Sequence, residues 1–128
     1  MLWLKNMHLK ITLLADKPDT LAKGLMFTEP LKFDECAFFI FKYTNDYSFW
    51  NKNVSYPISL FFLDENFKIQ NIGKLEANQE QPCWSNYPLT KYVVEGHHLL
   101  PKEYDIQTGD YCIPEDNKIN IIKGKHGQ

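Results

Sequence analysis

The segment Ile58–Leu63, ISLFFL, constrains the fold most, because it has one small polar residue among six and therefore no face to give to water. An extended run of this kind needs cover on both sides, which places it inside a sheet rather than at its margin. Asp64-Glu65-Asn66 follows with turn chemistry, since Asp and Asn tolerate left-handed backbone and bond their own main chain. Phe67 to Ile72 then alternates apolar and polar until about Asn71, where the spacing slips by one residue as a bulge would. These features predict a hairpin over 58–72. Cys36 to Phe41, CAFFIF, is a second run apolar on both faces. The two runs are expected to lie side by side in the middle of the sheet.

The remaining segments fit around this pair. Leu9 to Leu13 alternates and predicts a first strand closed by Leu14 and Ala15. Asp16 to Gly24 carries a short-helix signature, with the cap at Asp16 or Lys17, Pro18 and Asp19 in the first turn, and Gly24 at the end. Leu25-Met26-Phe27 should press the helix end onto the sheet. Thr44-Asn45-Asp46 is turn material, and Glu76 to Pro88, which is polar and holds Pro82 and Pro88, reads as a loop. Lys91 to Glu95 is a strand ending at Gly96, and a short helix starts near Pro101. Thr108-Gly109-Asp110 turns into Tyr111-Cys112-Ile113, Pro114 to Asn117 forms a turn, and Lys118 to Ile122 is the last strand. Residues 124–128 are expected to fray. The expected fold is a mainly β (α+β) domain spanning 1–128: a small curled sheet or barrel of about seven strands with one or two short helices.

Composition removes several function classes. All 14 basic residues are Lys, the net charge is −2, and no basic run exists, so the arginine fork that reads phosphate and guanine is missing and no nucleic-acid partner is expected. No apolar run approaches the roughly 20 residues of a membrane span. The first residues lack the pattern of a secretory signal, which predicts a cytoplasmic location for the chain as given and leaves export open if a leader preceded it. The histidine pair His97-His98 would point its rings apart in an extended chain, and no metal-ligand spacing is present, so neither a metal nor another cofactor is expected. Cys36 and Cys112 fall in strands and should be buried and inert, while Cys83 sits in a loop between Pro82 and Trp84, where a thiol is accessible.

Upstream of the hairpin, Phe49-Trp50 runs directly into Asn51-Lys52-Asn53, and Pro57 removes a backbone donor just before the apolar strand. In extended backbone Phe49 and Asn51 share one face and Trp50 and Lys52 the other, which sets an indole beside an ammonium. The simplest reading buries Trp50 in the core. The alternative is a recognition surface of Phe49, Trp50, Lys52, Asn53, Tyr56 and Pro57, with Trp84 and Met26 nearby, suited to a small polar molecule or a protein segment. Glu95 closes an apolar strand and either stands in solvent or takes a partner such as Lys52. Asp64 and Asp110 read as turn residues. The sequence therefore favours non-catalytic binding; the competing reading is a hydrolytic or thiol-dependent enzyme using Glu95 or Cys83.

The ordered set Lys23-Gly24-Leu25-Met26, Phe39-Ile40-Phe41, Phe49-Trp50-Asn51-Lys52-Asn53, Pro57-Ile58, Phe62-Leu63-Asp64, Tyr92-Val93-Val94-Glu95-Gly96 and Gly109-Asp110 resembles domain-of-unknown-function family 192, the uncharacterised ACR family, over about residues 9–114. The resemblance implies a compact β-rich prokaryotic domain with no established activity, many relatives of which follow an export signal. The chain departs from the family pattern at Lys23, Asn51, Val54 and Ser59, where Arg, Met, Thr and Asp are usual.

Overall fold

The computed structural model describes residues 7–125; residues 1–6 and 126–128, which include most of the N-terminal stretch and the end of the expected frayed tail, lie outside the described residues. Strands β1 (Met7–Ala15), β2 (Glu35–Asn45), β4 (Ile58–Leu63), β5 (Ile69–Leu75), β7 (Thr90–His97), β8 (Tyr111–Glu115) and β9 (Lys118–Ile122) form one curled sheet in the order β5-β4-β7-β2-β1-β9-β8. Strands β3 (Ser48–Phe49) and β6 (Cys83–Trp84) pair in a separate two-stranded ribbon. Helices α1 (Pro18–Lys23) and α2 (Leu100–Glu103) are short. Only β1 and β2 run parallel; α1 supplies the crossover between them.

The sheet curls far enough that its two edge strands meet at one end. Ile69 N–H donates to the Asp110 carbonyl at 2.8 Å, and Cys112 N–H to the Phe67 carbonyl at 2.9 Å. Asp110 holds that seam: its buried carboxylate accepts from the Gln107 and Gly124 backbone N–H groups, both at 2.9 Å, and pairs with Lys123 at 2.6 Å. Asp110 thus has the turn role expected of it, and Gly124, expected to fray, is fastened against it.

The two doubly apolar runs are interior strands, as the pattern required, but they are not neighbours. Strand β7 lies between them and pairs with both, through Val94 opposite Phe38 on one side and Phe61 on the other. Side chains alternate between two apolar clusters. On the inner face Leu9, Phe38, Phe61, Leu63, Ile69, Val94, Ile119 and Ile121 pack together with α2 at Leu100. On the outer face Ala37, Phe39, Ile58, Leu60, Phe62, Leu75 and Val93 are covered by Leu25, Leu31, Val54 and Tyr56. Because β4 contributes Phe61 and Leu63 inward and Ile58, Leu60 and Phe62 outward, it needs its unbroken hydrophobicity.

The hairpin has the expected turn and bulge. Asp64 Oδ1 accepts from the Asn66 and Lys68 N–H groups, and the register slips between Phe62–Asn71 and Leu63–Ile69. Three local expectations are corrected. The 76–88 segment is not all loop, because β6 lies in it, pinned to β3 through buried Ser85, whose hydroxyl meets Asp46 at 2.7 Å and the Tyr47 N–H at 3.0 Å. Pro114 and Glu115 belong to β8 rather than to the turn, since a proline can lie on the last strand of a sheet. The rings of His97 and His98 stack at 4.6 Å instead of diverging, because the chain leaves β7 at His97 and bends toward α2.

Candidate functional site

A cavity of about 520 Å³ opens on the outer face between α1, the following Gly24–Met26 turn, β3 and the 50–54 segment. Its geometry begins with backbone. Gly24 ends α1 at φ +50°, a left-handed conformation costly for a side-chain-bearing residue, and a Cβ there would lie 3.5 Å from the Phe39 ring. The chain can therefore turn close over the sheet and bring Met26 to the cavity wall. Opposite, the 51–54 turn is tied down on both sides. Asn51 N–H donates to the Gln79 carbonyl at 2.6 Å, Asn78 N–H to the Val54 carbonyl at 2.8 Å, and Phe27 N–H to the Asn53 carbonyl at 2.9 Å.

Aromatic rings form the wall. Phe49 meets Phe39 edge to face at 5.1 Å and Phe41 at 6.1 Å, while Tyr47 stacks on Phe41 with centroids 3.7 Å apart. The Tyr47 hydroxyl donates to the Tyr43 carbonyl. Trp50 stands at the rim, 44% exposed, with the Lys52 ammonium 5.4 Å from its ring centroid. The pairing expected from alternation is present; burial of Trp50 in the core is not.

On the floor lies Glu95. It projects from β7 between Ala37 of β2 and Leu60 of β4, both outer-face core residues, and is only 3% exposed. Among the described residues its carboxyl has neither a hydrogen-bond nor an ion-pair partner, and burial pushes its pKa up to about 8. Neither sequence reading of Glu95 holds: it is not in solvent, and Lys52 is paired with Trp50 rather than with it. A carboxyl so placed stays largely protonated at neutral pH. Asn51, also in the lining, is the second unusual polar group. Its Nδ2 donates to the Tyr56 and Glu76 carbonyls, each at 3.0 Å, while its buried Oδ1 has no partner among the described residues. The other charged residues of the lining, Lys23 and Glu80, are exposed.

Of the residues singled out from sequence, Met26, Phe49, Trp50 and Glu95 converge on this cavity and Lys52 sits over its rim ring. Asn53 is exposed at φ +60°, serving the turn, and Trp84 is 49% exposed on the β6 ribbon, away from the lining. Tyr56 and Pro57 instead line a smaller hollow of about 200 Å³ with His97 and His98. The Tyr56 hydroxyl meets Thr28 Oγ1 at 2.7 Å, and burial raises its pKa. Asn51 was visible in sequence as a polar residue next to Trp50, yet nothing in the pattern said it would be buried. Tyr47, Phe41 and Gly24 gave no site signal at all.

The cysteines are all free. Burial pushes the Cys36 thiol up to about 12 and the Cys112 thiol well above its ordinary value. Cys83 is half-buried rather than open to solvent, because β6 folds its sulfur onto Gly73, where a Cβ would come within 2.5 Å of it; burial raises this thiol too. Among the described residues no group of three or more His, Cys, Asp or Glu side chains gathers to hold a metal, and no helix is long and apolar enough to cross a membrane.

Solved structures share this fold. A protein of unknown function from Novosphingobium aromaticivorans matches with a TM-score of 0.72 and 28% identity over 77% of this chain and 70% of its own. A putative transcription regulator from Sinorhizobium meliloti matches with a TM-score of 0.71 at 20% identity, covering 97% of both chains, which speaks for the fold alone. No curated protein matches the sequence. The model of domain-of-unknown-function family 192, described as uncharacterised ACR, matches residues 3–113, nearly the whole chain, and the protein belongs to that family.

Proposed function

We propose that this protein is a binding domain that takes a small ligand into the outer-face cavity, with Phe39, Phe41 and Phe49 as the apolar wall, Glu95 and Asn51 as the polar floor, and Trp50 with Lys52 at the rim. The observation that carries this reading is the Glu95 carboxyl, buried among apolar residues with no partner among the described residues, at the base of a space of about 520 Å³. A buried carboxyl without a partner costs stability, so its presence is better explained by a ligand than by packing. The volume falls in the range of small-molecule sites, and an aromatic lining with few polar groups is their usual composition. The other charged residues of the lining, Lys23 and Glu80, are exposed.

A fragment screen read by tryptophan fluorescence and by ligand-observed NMR tests the reading. Fragments should perturb Trp50 and compete with one another, and Phe49→Ala should weaken them. If no fragment class binds, or if all that bind do so equally well in Phe49→Ala, the cavity is not a ligand site. Conversion of a bound fragment to product would make the domain an enzyme instead.

A further inference from the structure

The binding reading leaves the ligand's chemistry open, and the lining narrows it. The Glu95 carboxyl has no donor among the described residues, the aromatic faces are electron-rich, and Glu80 adds a carboxylate at the mouth. Against these stand two cations, Lys23 in the lining and Lys52 over the rim indole, both exposed. We propose that the cavity takes an organic primary or secondary ammonium, seated head-first on Glu95 with its carbon body along Phe39, Phe41 and Phe49. An ammonium supplies the N–H donors that the Glu95 carboxylate lacks and lies against the rings as a cation–π partner.

Binding is then coupled to a proton. Glu95 is predominantly protonated at neutral pH, so seating R–NH₃⁺ expels the carboxyl proton to solvent and leaves a carboxylate–ammonium pair. The flanking strands set Ala37 and Leu60 directly opposite Glu95, with Glu35 and Phe39 of β2 and Ile58 and Phe62 of β4 two residues away on the same face. The titratable groups around it are Glu35 of β2, the Tyr56 phenol, whose pKa is raised by burial and then by Glu95 and Glu35, Tyr47 in the wall, and Lys23 and Glu80 in the lining. Burial holds the Glu95 pKa at about 8. Ammonium affinity should therefore rise nearly tenfold per pH unit from 6 toward 8, level off, and fall only as the amine itself deprotonates near pH 10.

Calorimetry with phenethylammonium tests this, against 2-phenylethanol, 3-phenylpropionate and phenethyltrimethylammonium as probes of similar body but different head. The expected result is preference for phenethylammonium over all three, release of close to one proton at pH 7 read from the dependence of heat on buffer ionisation enthalpy, and roughly ten- to hundredfold weaker binding in Glu95→Gln. The proton count is made on the unaltered protein and so does not depend on how the variant folds. Equal or tighter binding of the alcohol or the carboxylate overturns the ammonium inference and leaves the small-ligand reading standing. So does phenethylammonium binding without proton release. Tighter binding of the trimethylated probe would show a cation site that does not use N–H donors, also against the inference. Failure of all four overturns it too, and the fragment screen then decides whether the cavity binds anything.

Discussion

The inner and outer faces of the same sheet are built from adjacent residues of the same strands, yet one is closed and the other is not. Inward, Phe38, Phe61 and Val94 fill the space enclosed by seven strands, and even the thiols of Cys36 and Cys112 are sealed into inertness. Outward, Ala37, Leu60 and Val93 carry an equally apolar floor, but the cover comes from short connections, α1 with its glycine turn and the 50–54 segment. Loops cannot interdigitate as strands do, because their own backbone groups must be satisfied first, as the ties from Asn51, Val54 and Asn53 show. The cavity is what remains, and the single buried acid of β7 faces into it.

Titration of Glu95 is the sharpest separation of the faces. With its pKa near 8 in the folded state and near 4.5 unfolded, the folded protein holds a proton that the unfolded chain releases between those values. Stability from this group is therefore complete below about pH 4.5, declines as pH rises, and is lowest above 8, a loss of up to roughly 4–5 kcal/mol at about 1.4 kcal/mol per unit. Denaturant unfolding at pH 5, 7 and 9 should show the decline, and Glu95→Gln should flatten it. A flat profile in the unaltered protein would mean that water or a partner solvates Glu95, and the outer face would then be no drier than a surface.

Core truncation comes next. Phe61→Ala on the inner face should cost about 3–5 kcal/mol in urea unfolding, whereas Phe49→Ala, half-buried beside space that already exists, should cost about 1–2 kcal/mol. Equal losses would make the outer cluster a closed core. The thiols give a third, kinetic contrast: in native protein at pH 7.5 a disulfide-exchange reagent should label Cys83 first and leave Cys36 and Cys112 untouched until unfolding. Early labelling of Cys112 would mean that the inner face opens locally.

This contrast also sets how much could be read from sequence. The doubly apolar runs announced interior strands, and the DEN turn and a bulge after it were legible, though the turn takes in Phe67, the bulge falls at Gln70 and the second strand begins at Ile69; Trp50 does meet Lys52, but across a turn rather than along an extended strand. These are local signals. The insertion of β7 between β2 and β4 was not legible, since Val93-Val94 suits any interior position and pairing partners distant in sequence, such as Phe38 with Val94 and Phe61 with Val94, leave no mark on either strand. Glu95 could be suspected as a strand-end carboxylate, but whether it meets solvent, a lysine or a cavity depends on which loops cover the outer face. The same holds for Asn51: a polar residue after Phe49-Trp50 reads as turn material, and its burial is decided by carbonyls of Tyr56 and Glu76 that fold over it.

Trp50 carries the smallest expected effect on stability and separates two accounts of the rim. Truncating a core tryptophan costs about 3–5 kcal/mol. Trp50 is 44% exposed, its ring shared between the cavity mouth and the Lys52 ammonium, and an exposed cation–π pair contributes only about 0.5–1 kcal/mol. Trp50→Ala should therefore lower stability by no more than about 1 kcal/mol while weakening any ligand that closes the cavity mouth. Lys52→Ala should change stability by less still, because the ring stays where Phe49 and the 51–54 turn hold it. If Trp50→Ala instead unfolds the protein as readily as Phe61→Ala, the indole is a structural lid whose loss collapses the outer face. A variant that keeps both stability and ligand affinity would show that recognition happens below the rim, at Glu95 and the phenylalanine wall alone.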